Sequence, residues 1–521
     1  MLAKIRKHLV WSAIFLGLLS DSLALPASDA AGIRNALTIS AVVGAERSSL
    51  ETFYASRSFS PAWSEGDARL LQEQITRAGE EGLDPAVYIL PPSAAAAAER
   101  DVLLTYTALA YARDVHAGRA AMRTRDADVE LPPVHFDVGA ELQTALQGHR
   151  LGEFLRTLPP PQPGYAALKA ALAFYRGIAA RGGWPVLREG RDFGPTVEVG
   201  ASEALHQRLA LEYPQFSRLD VRDQVKRFQA DHGLAADGKV GGRTLAELNR
   251  PVEDRIEQIV VNMERWRWLP SRFENSFISI NVPDANLSLI LHDRLVLESR
   301  VVVGKPTSPT PILRATGAGV TVNPPWTVPA SIARKEILPK LKANSDYLQQ
   351  QDMVLLDGPA NDPYGLRVPW RRIPAGTFPF RIQQHPGGKN ALGTIKIELP
   401  NRFDIYLHDT PGKSAFARPV RDVSHGCVRV QAILPLTSYV LSENLDAMVK
   451  ITDAIAAGST RYFPFKTKVP VYFLYWTAFA DKDGNIQFRP DIYGRDQRLI
   501  VMQRGMQPLR IAAAAVACQR G

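Results

Sequence analysis

Phe277-Ile278-Ser279-Ile280-Asn281-Val282, then the turn Pro283-Asp284-Ala285-Asn286, then Leu287-Ser288-Leu289-Ile290-Leu291, is the stretch on which the fold turns. Apolar and polar side chains alternate with period two, the period of a strand that buries one face. Leu295–Val303 continues the pattern after a turn at Asp293-Arg294, and Thr394–Leu399 and Phe403–Leu407 are further strand candidates. A β-rich domain is therefore expected over 275–465. Residues 326–385 break its period: Ser331–Lys342 and Asn344–Gln351 read as helices, followed by Gly- and Pro-rich chain. This is an insertion, either a lid over a site or plain decoration.

Upstream, the apolar spacing is helical. Residues 31–200 are rich in Ala, Leu and Arg, with Leu103, Ala108, Leu109, Tyr111 and Ala112 at helical spacing and a break at Leu158-Pro159-Pro160-Pro161-Gln162-Pro163-Gly164. A helical scaffold without chemistry of its own is expected there. Residues 201–250 hold three short helices: Ser202–Glu212, one through Val221, Val225 and Phe228 that ends at Gly233, and Thr244–Leu248 after the turn Ala236-Asp237-Gly238. A linker helix is expected over 251–274 and a C-terminal extension over 466–521. The fold class is α+β and multidomain.

The chain has 521 residues, 45% apolar and 22% charged, which excludes a fibre, wholesale disorder and a multi-span membrane protein. Its formal net charge is +9, suited to anionic partners without choosing among them. At the N-terminus Lys4, Arg6 and Lys7 precede an 11-residue apolar run, Leu9 to Leu19, followed by small residues around Ser22-Leu23-Ala24 and Ser28-Asp29-Ala30. Residues 1–30 read as a signal peptide, the run being too short to span a bilayer; an uncleaved anchor is the alternative. Export to the periplasm is expected, with no membrane span beyond the signal peptide and no nucleic-acid partner.

The chemistry concentrates in Ile405-Tyr406-Leu407-His408-Asp409-Thr410-Pro411 and Val423-Ser424-His425-Gly426-Cys427-Val428-Arg429-Val430. A thiolate is a strong nucleophile, and a nearby imidazole can take and return its proton. Gly426 permits a sharp turn and close approach of a carbonyl, and amides beside the thiol can stabilise an oxyanion. Spacing alone leaves open whether His408 or His425 is the base. Two blander readings compete: a buried structural cysteine, and a disulfide between Cys427 and Cys518, the two cysteines of the chain.

His408 together with Ser424-His425-Gly426-Cys427 resembles the signature of the L,D-transpeptidase catalytic domain of the YkuD type. The surrounding blocks Asn390-Ala391-Leu392-Gly393, Pro400-Asn401, Asn262 to Trp268, Arg300 to Lys305 and Phe488 to Gly494 resemble its large Gram-negative branch. Val225 to Gln229, His232-Gly233-Leu234, Asp237-Gly238 and Thr244-Leu245 are similar to the three-helix peptidoglycan-binding-like domain. The resemblance implies a scaffold, a peptidoglycan-binding-like domain and a catalytic domain with a capping insertion. It also implies the roles. Cys427 is the nucleophile and His408 the base, oriented by the Asp409 main chain with the Asp409 side chain as competitor. His425 shapes the pocket, and Ser424 supports the turn. The Gly426 and Cys427 amides, with Tyr406 near, form the oxyanion site. Arg429, where smaller relatives carry Asn, holds a substrate carboxylate or buttresses the loop, and Trp326 faces the donor peptide or packs in the insertion. The implied reaction releases D-Ala from a tetrapeptide stem and joins the acyl group to a diaminopimelate amine. No metal or cofactor is implied. The partners are peptidoglycan stem peptides and cell-wall synthesis proteins. A papain-like cysteine enzyme, which places its cysteine upstream of its histidine, and a non-catalytic wall-binding protein are the competing readings.

Overall fold

The computed structural model describes residues 27–39, 45–92, 94–119, 127–134, 136–191, 202–374, 376–441 and 445–505. Most of the expected signal peptide, and Cys518, lie outside the described residues. No helix among the described residues is long and apolar enough to cross a membrane.

The helical scaffold is built around Ala97–Ala117, whose residues 101–112 are buried without a break. A helix buried all round is the centre of a bundle, and Ala27–Ile39, Ala45–Ala55, Glu65–Thr76, Val138–Gln147 and Leu151–Thr157 surround it through Ile33, Leu50, Leu71, Leu142 and Leu155. Its one buried acid, Asp101, accepts hydrogen bonds from the Tyr54 hydroxyl at 2.6 Å and from the Ala62 and Trp63 amides. The three small helices Glu203–Glu212, Val221–Asp231 and Gly242–Leu248 pack around Leu205, Leu209, Val225 and Phe228. Gly233 takes φ +66° at the helix end, and Gln229 ties the following turn by donating to Asp237 Oδ1 and the Lys239 carbonyl while accepting from Gly238 N.

The β domain is a sheet closed on itself. Going round, Ile312–Val322 pairs with Arg461–Leu474, then Phe277–Asn281, Asn286–Leu291, Arg294–Gly304, Val428–Val430, Leu407–His408 and Ile395–Glu398, which pairs back onto Ile312–Val322. Closure leaves the ring without free edges, and the alternating inward side chains Ile278, Ile280, Leu287, Leu289, Val301, Val303, Ile395, Ile397, Leu407, Val428 and Phe473 fill it.

Four expectations are corrected. The boundary between 465 and 466 falls inside the strand Arg461–Leu474, which lies between two neighbours in the ring. The strand expected over Phe403–Leu407 is only Leu407–His408. Asn401 replaces the ladder before it, donating to the Ile405 carbonyl and accepting from the Phe403 and Ile405 amides, with Asp404 at φ +53°. The helix expected over Ser331–Lys342 is interrupted by a π-turn at Ala333–Ile337 just before Pro339, whose ring and missing N–H disturb the preceding turn. The linker helix Val252–Arg267 is no free linker: with Pro163–Ala180 it forms a core of Tyr165, Leu168, Leu172, Ile259, Met263 and Trp266 against Leu474 and Phe488. The insertion has its own core of Val328, Ile337, Leu341, Leu348, Trp370 and Ile382 and a small sheet of Trp326–Thr327, Ile382–Gln384 and Met353–Leu355.

Candidate active site

Two short strands bring the motif together. Leu407–His408 runs parallel to Val428–Val430, with Leu407 opposite Val428 and His408 opposite Arg429. Leu407 and Val428 point into the ring core. Alternation therefore puts His408 and Arg429 on the other face, while Cys427, just before its strand, packs against the rim of the core and hydrogen-bonds with Tyr406. The next strand places Lys396 opposite His408 on that face. The imidazole thus sits in a row between two cations, Lys396 and Arg429. Tyr406 and His408 have ring centroids 5.5 Å apart, and the Lys396 ammonium lies 4.4 Å from the Tyr406 ring centroid.

The electrostatics follow from this row. Burial, then the Arg429 charge, push the His408 pKa down to about 3 against a pull from the Asp409 main chain. Burial pushes the Cys427 thiol up, opposed by hydrogen bonds from the Tyr406 main chain and phenol and by Lys396. Burial thus favours the neutral thiol and the neutral imidazole. Burial also raises Tyr406, a side-chain hydrogen bond from Trp326 pulling the other way. Cys427 is a free thiol whose Sγ donates to the Asp404 carbonyl at 3.5 Å. Arg429 Nε is buried without a hydrogen-bond partner among the described residues, and so is His408 Nδ1.

The nucleophile turn is braced from several sides. Gly426 takes φ +117°, and a Cβ there would meet Ile405 Cδ1 at 3.2 Å. Its carbonyl accepts from Thr310 Oγ1 at 2.6 Å, and its amide donates to Ser424 Oγ at 3.1 Å, which in turn donates to the Cys427 carbonyl. Ser424 therefore supports the turn. In the resting chain the Gly426 amide already has an acceptor in Ser424 Oγ. The Asp409 carboxylate accepts from Thr394 N at 3.0 Å, Thr394 Oγ1 and Lys413 Nζ. These bonds hold its carboxyl below the usual range although burial raises it. The side chain is thus engaged by Thr394 and Lys413, while the Asp409 main chain hydrogen-bonds with His408. His425 points out of the row and meets Glu336 of the insertion at 2.5 Å.

Lys396, Thr310, Tyr493 and Glu336 belong to this site and were not singled out from the sequence. Tyr493 accepts from Thr310 N and donates to the Gly304 carbonyl, propping the same turn. For Lys396 the signal was there: a lone lysine on the outward face of a strand that pairs with the histidine strand.

The L,D-transpeptidase catalytic domain (YkuD) family matches residues 275–469, the scaffold domain family 48–172, and the "Putative peptidoglycan binding domain" family 217–248. A Haemophilus influenzae protein named "Putative L,D-transpeptidase" is 35% identical over 243 residues, covering 47% of this chain and 49% of that protein, so the chain spans about half the length of this curated relative. Among solved structures, an L,D-transpeptidase from Mycobacterium smegmatis is 12% identical, with 38% of this chain and 58% of that chain covered at a TM-score of 0.17. One from Enterococcus faecium is also 12% identical, with 43% and 64% covered at 0.15. Segments similar to the scaffold, peptidoglycan-binding and L,D-transpeptidase catalytic domain families thus follow one another along a single sequence, the catalytic-domain match spanning residues 275–469.

Proposed function

We propose that the protein is a peptidoglycan L,D-transpeptidase working outside the cytoplasm, with Cys427 as nucleophile and His408 as base. The observation that carries the reading is that two paired strands bring close in the fold a free thiol, a buried imidazole and a guanidinium whose Nε lacks a partner among the described residues. A neutral imidazole can accept a proton, which a cationic one cannot. The stem carbonyl approaches Cys427. As the S–C bond forms, the thiol proton passes to His408, and the oxyanion is met by the Cys427 amide and Tyr406. Collapse breaks the C–N bond and His408 returns the proton to the departing D-Ala amine. A diaminopimelate amine then attacks the thioester, gives its proton to His408 and expels the thiolate, which is reprotonated. Arg429 fits a stem carboxylate, since a buried guanidinium favours an anionic partner. Residues 1–30 act as the export signal, the 201–250 unit holds the wall, and cell-wall synthesis proteins are further partners.

The test is incubation with tetrapeptide muropeptides followed by mass spectrometry. Crosslinked dimers with D-Ala release are expected. D-Ala without dimers means hydrolysis, and unchanged substrate leaves a wall-binding protein.

A further inference from the structure

We propose that Glu336, on the π-turn of the insertion, is a positioning residue that fixes the nucleophile turn through His425. This rests on Cys427 being the nucleophile. Three segments far apart in sequence meet at one oxygen. Glu336 Oε1 lies 2.5 Å from His425 Nε2 and 3.4 Å from Lys305 Nζ, and Lys305 Nζ lies 3.2 Å from His425 Nε2. An ammonium only donates and a carboxylate only accepts. Lys305 and the His425 Nε2–H therefore both donate to Glu336, and the carboxylate sets which imidazole nitrogen carries the proton.

The backbone on both sides is specialised for this meeting. In an α-helix each residue advances about 100°. The extra residue of the π-turn at Ala333–Ile337 re-aims Glu336 by about that angle, while its neighbours Arg334 and Lys335 remain exposed. On the other side, His425 directly precedes Gly426, held at φ +117°, and Cys427. Lys305 is tied to the same turn by its backbone, its amide donating to the Ser424 carbonyl at 2.9 Å. Burial raises the Glu336 carboxyl, but the hydrogen bond from His425 and the charge and hydrogen bond of Lys305 hold it below its ordinary value. Thr310 and Ser424 brace the turn from within the catalytic domain. Glu336 is the brace from the insertion, so the insertion's seat is felt at the thiol.

The test compares wild type with E336A, E336Q and E336D in two measurements. In hydrogen–deuterium exchange, peptides covering 423–430 are expected to exchange roughly 3- to 10-fold faster in E336A, the size of a lost exposed charge-assisted bond, with the scaffold unchanged. In transpeptidation, E336A and E336Q are expected to lose about 10- to 100-fold in kcat with KM within about twofold, the signature of a misplaced reacting group, and E336D to recover most of it. Unchanged exchange at 423–430 in E336A, or wild-type kcat in E336Q, overturns the proposal. A wild-type protein that does not transpeptidate, yet whose 423–430 exchange responds to E336A, contradicts the functional reading and upholds the brace.

Discussion

At the residue scale the site depends on keeping an imidazole uncharged between two cations. Burial does most to lower the His408 pKa, and Arg429 and then Lys396, facing it from the neighbouring strands, add to it. A histidine neutral when folded and protonated when unfolded makes the unfolded state bind more protons between about pH 3 and its unfolded pKa near 6.5. Its contribution to stability is therefore present above about pH 6.5 and is lost as pH falls toward 3. Denaturant unfolding of H408Q at pH 6 and pH 5 is expected to show a pH dependence shallower than wild type by about 1.4 kcal/mol per unit; equal slopes would mean that His408 titrates normally when folded. G426A is expected to lower stability by about 1–3 kcal/mol, read from the denaturation midpoint, because the turn needs φ +117° and Ile405 crowds a Cβ.

At the element scale, period two marked Phe277–Asn281, Asn286–Leu291, Arg294–Gly304 and Ile395–Glu398 of the ring, whereas Ile312–Val322 and Val428–Val430 were not read as strands. The strand Arg461–Leu474 was not legible, because Pro464 and Pro470 lie in it and proline cannot donate to a ladder. Those prolines are tolerated with a register shift between Pro464 and Val469. A chain ending at 465 is expected to be insoluble or unfolded, because most of a strand between two neighbours is gone, whereas one ending at 505 stays folded; circular dichroism of the two separates the outcomes. The π-turn was equally hidden. Pro339 signals trouble in a helix, but where the backbone widens, and that Glu336 thereby reaches His425, depends on contacts between residues 89 apart.

At the scale of the whole molecule, the order scaffold, three-helix unit, β domain was legible because each has its own period and turn chemistry. Their union was not. The helix Val252–Arg267 reads as a connector by position, yet Asn262, Glu264 and Arg267 are fully enclosed, with Glu264 accepting from Arg119 N, Trp268 Nε1 and Arg267 Nη1. Removing that carboxylate as E264A takes the charge partner from the buried Arg267 guanidinium, whose Nη2 keeps the Glu81 carbonyl and the Tyr165 hydroxyl, and the acceptor from the Arg119 amide and the Trp268 indole; a loss of about 3–5 kcal/mol is expected in urea unfolding, and a change under about 1 kcal/mol would show that this carboxylate does not tie the helix to its neighbours. The strand Val129–Glu130 also joins the parts, pairing with Ile312-Leu313 at the ring's rim.

In the proposed reaction the thiol of Cys427 carries the acyl group between donor and acceptor. Rapid-quench intact-protein mass spectrometry with a tetrapeptide stem and no acceptor tests it. An added mass equal to the stem's tripeptide acyl group is expected, located on Cys427, formed with one equivalent of D-Ala and absent from C427A. D-Ala released at the same rate by C427A, or an adduct on another residue, would contradict it.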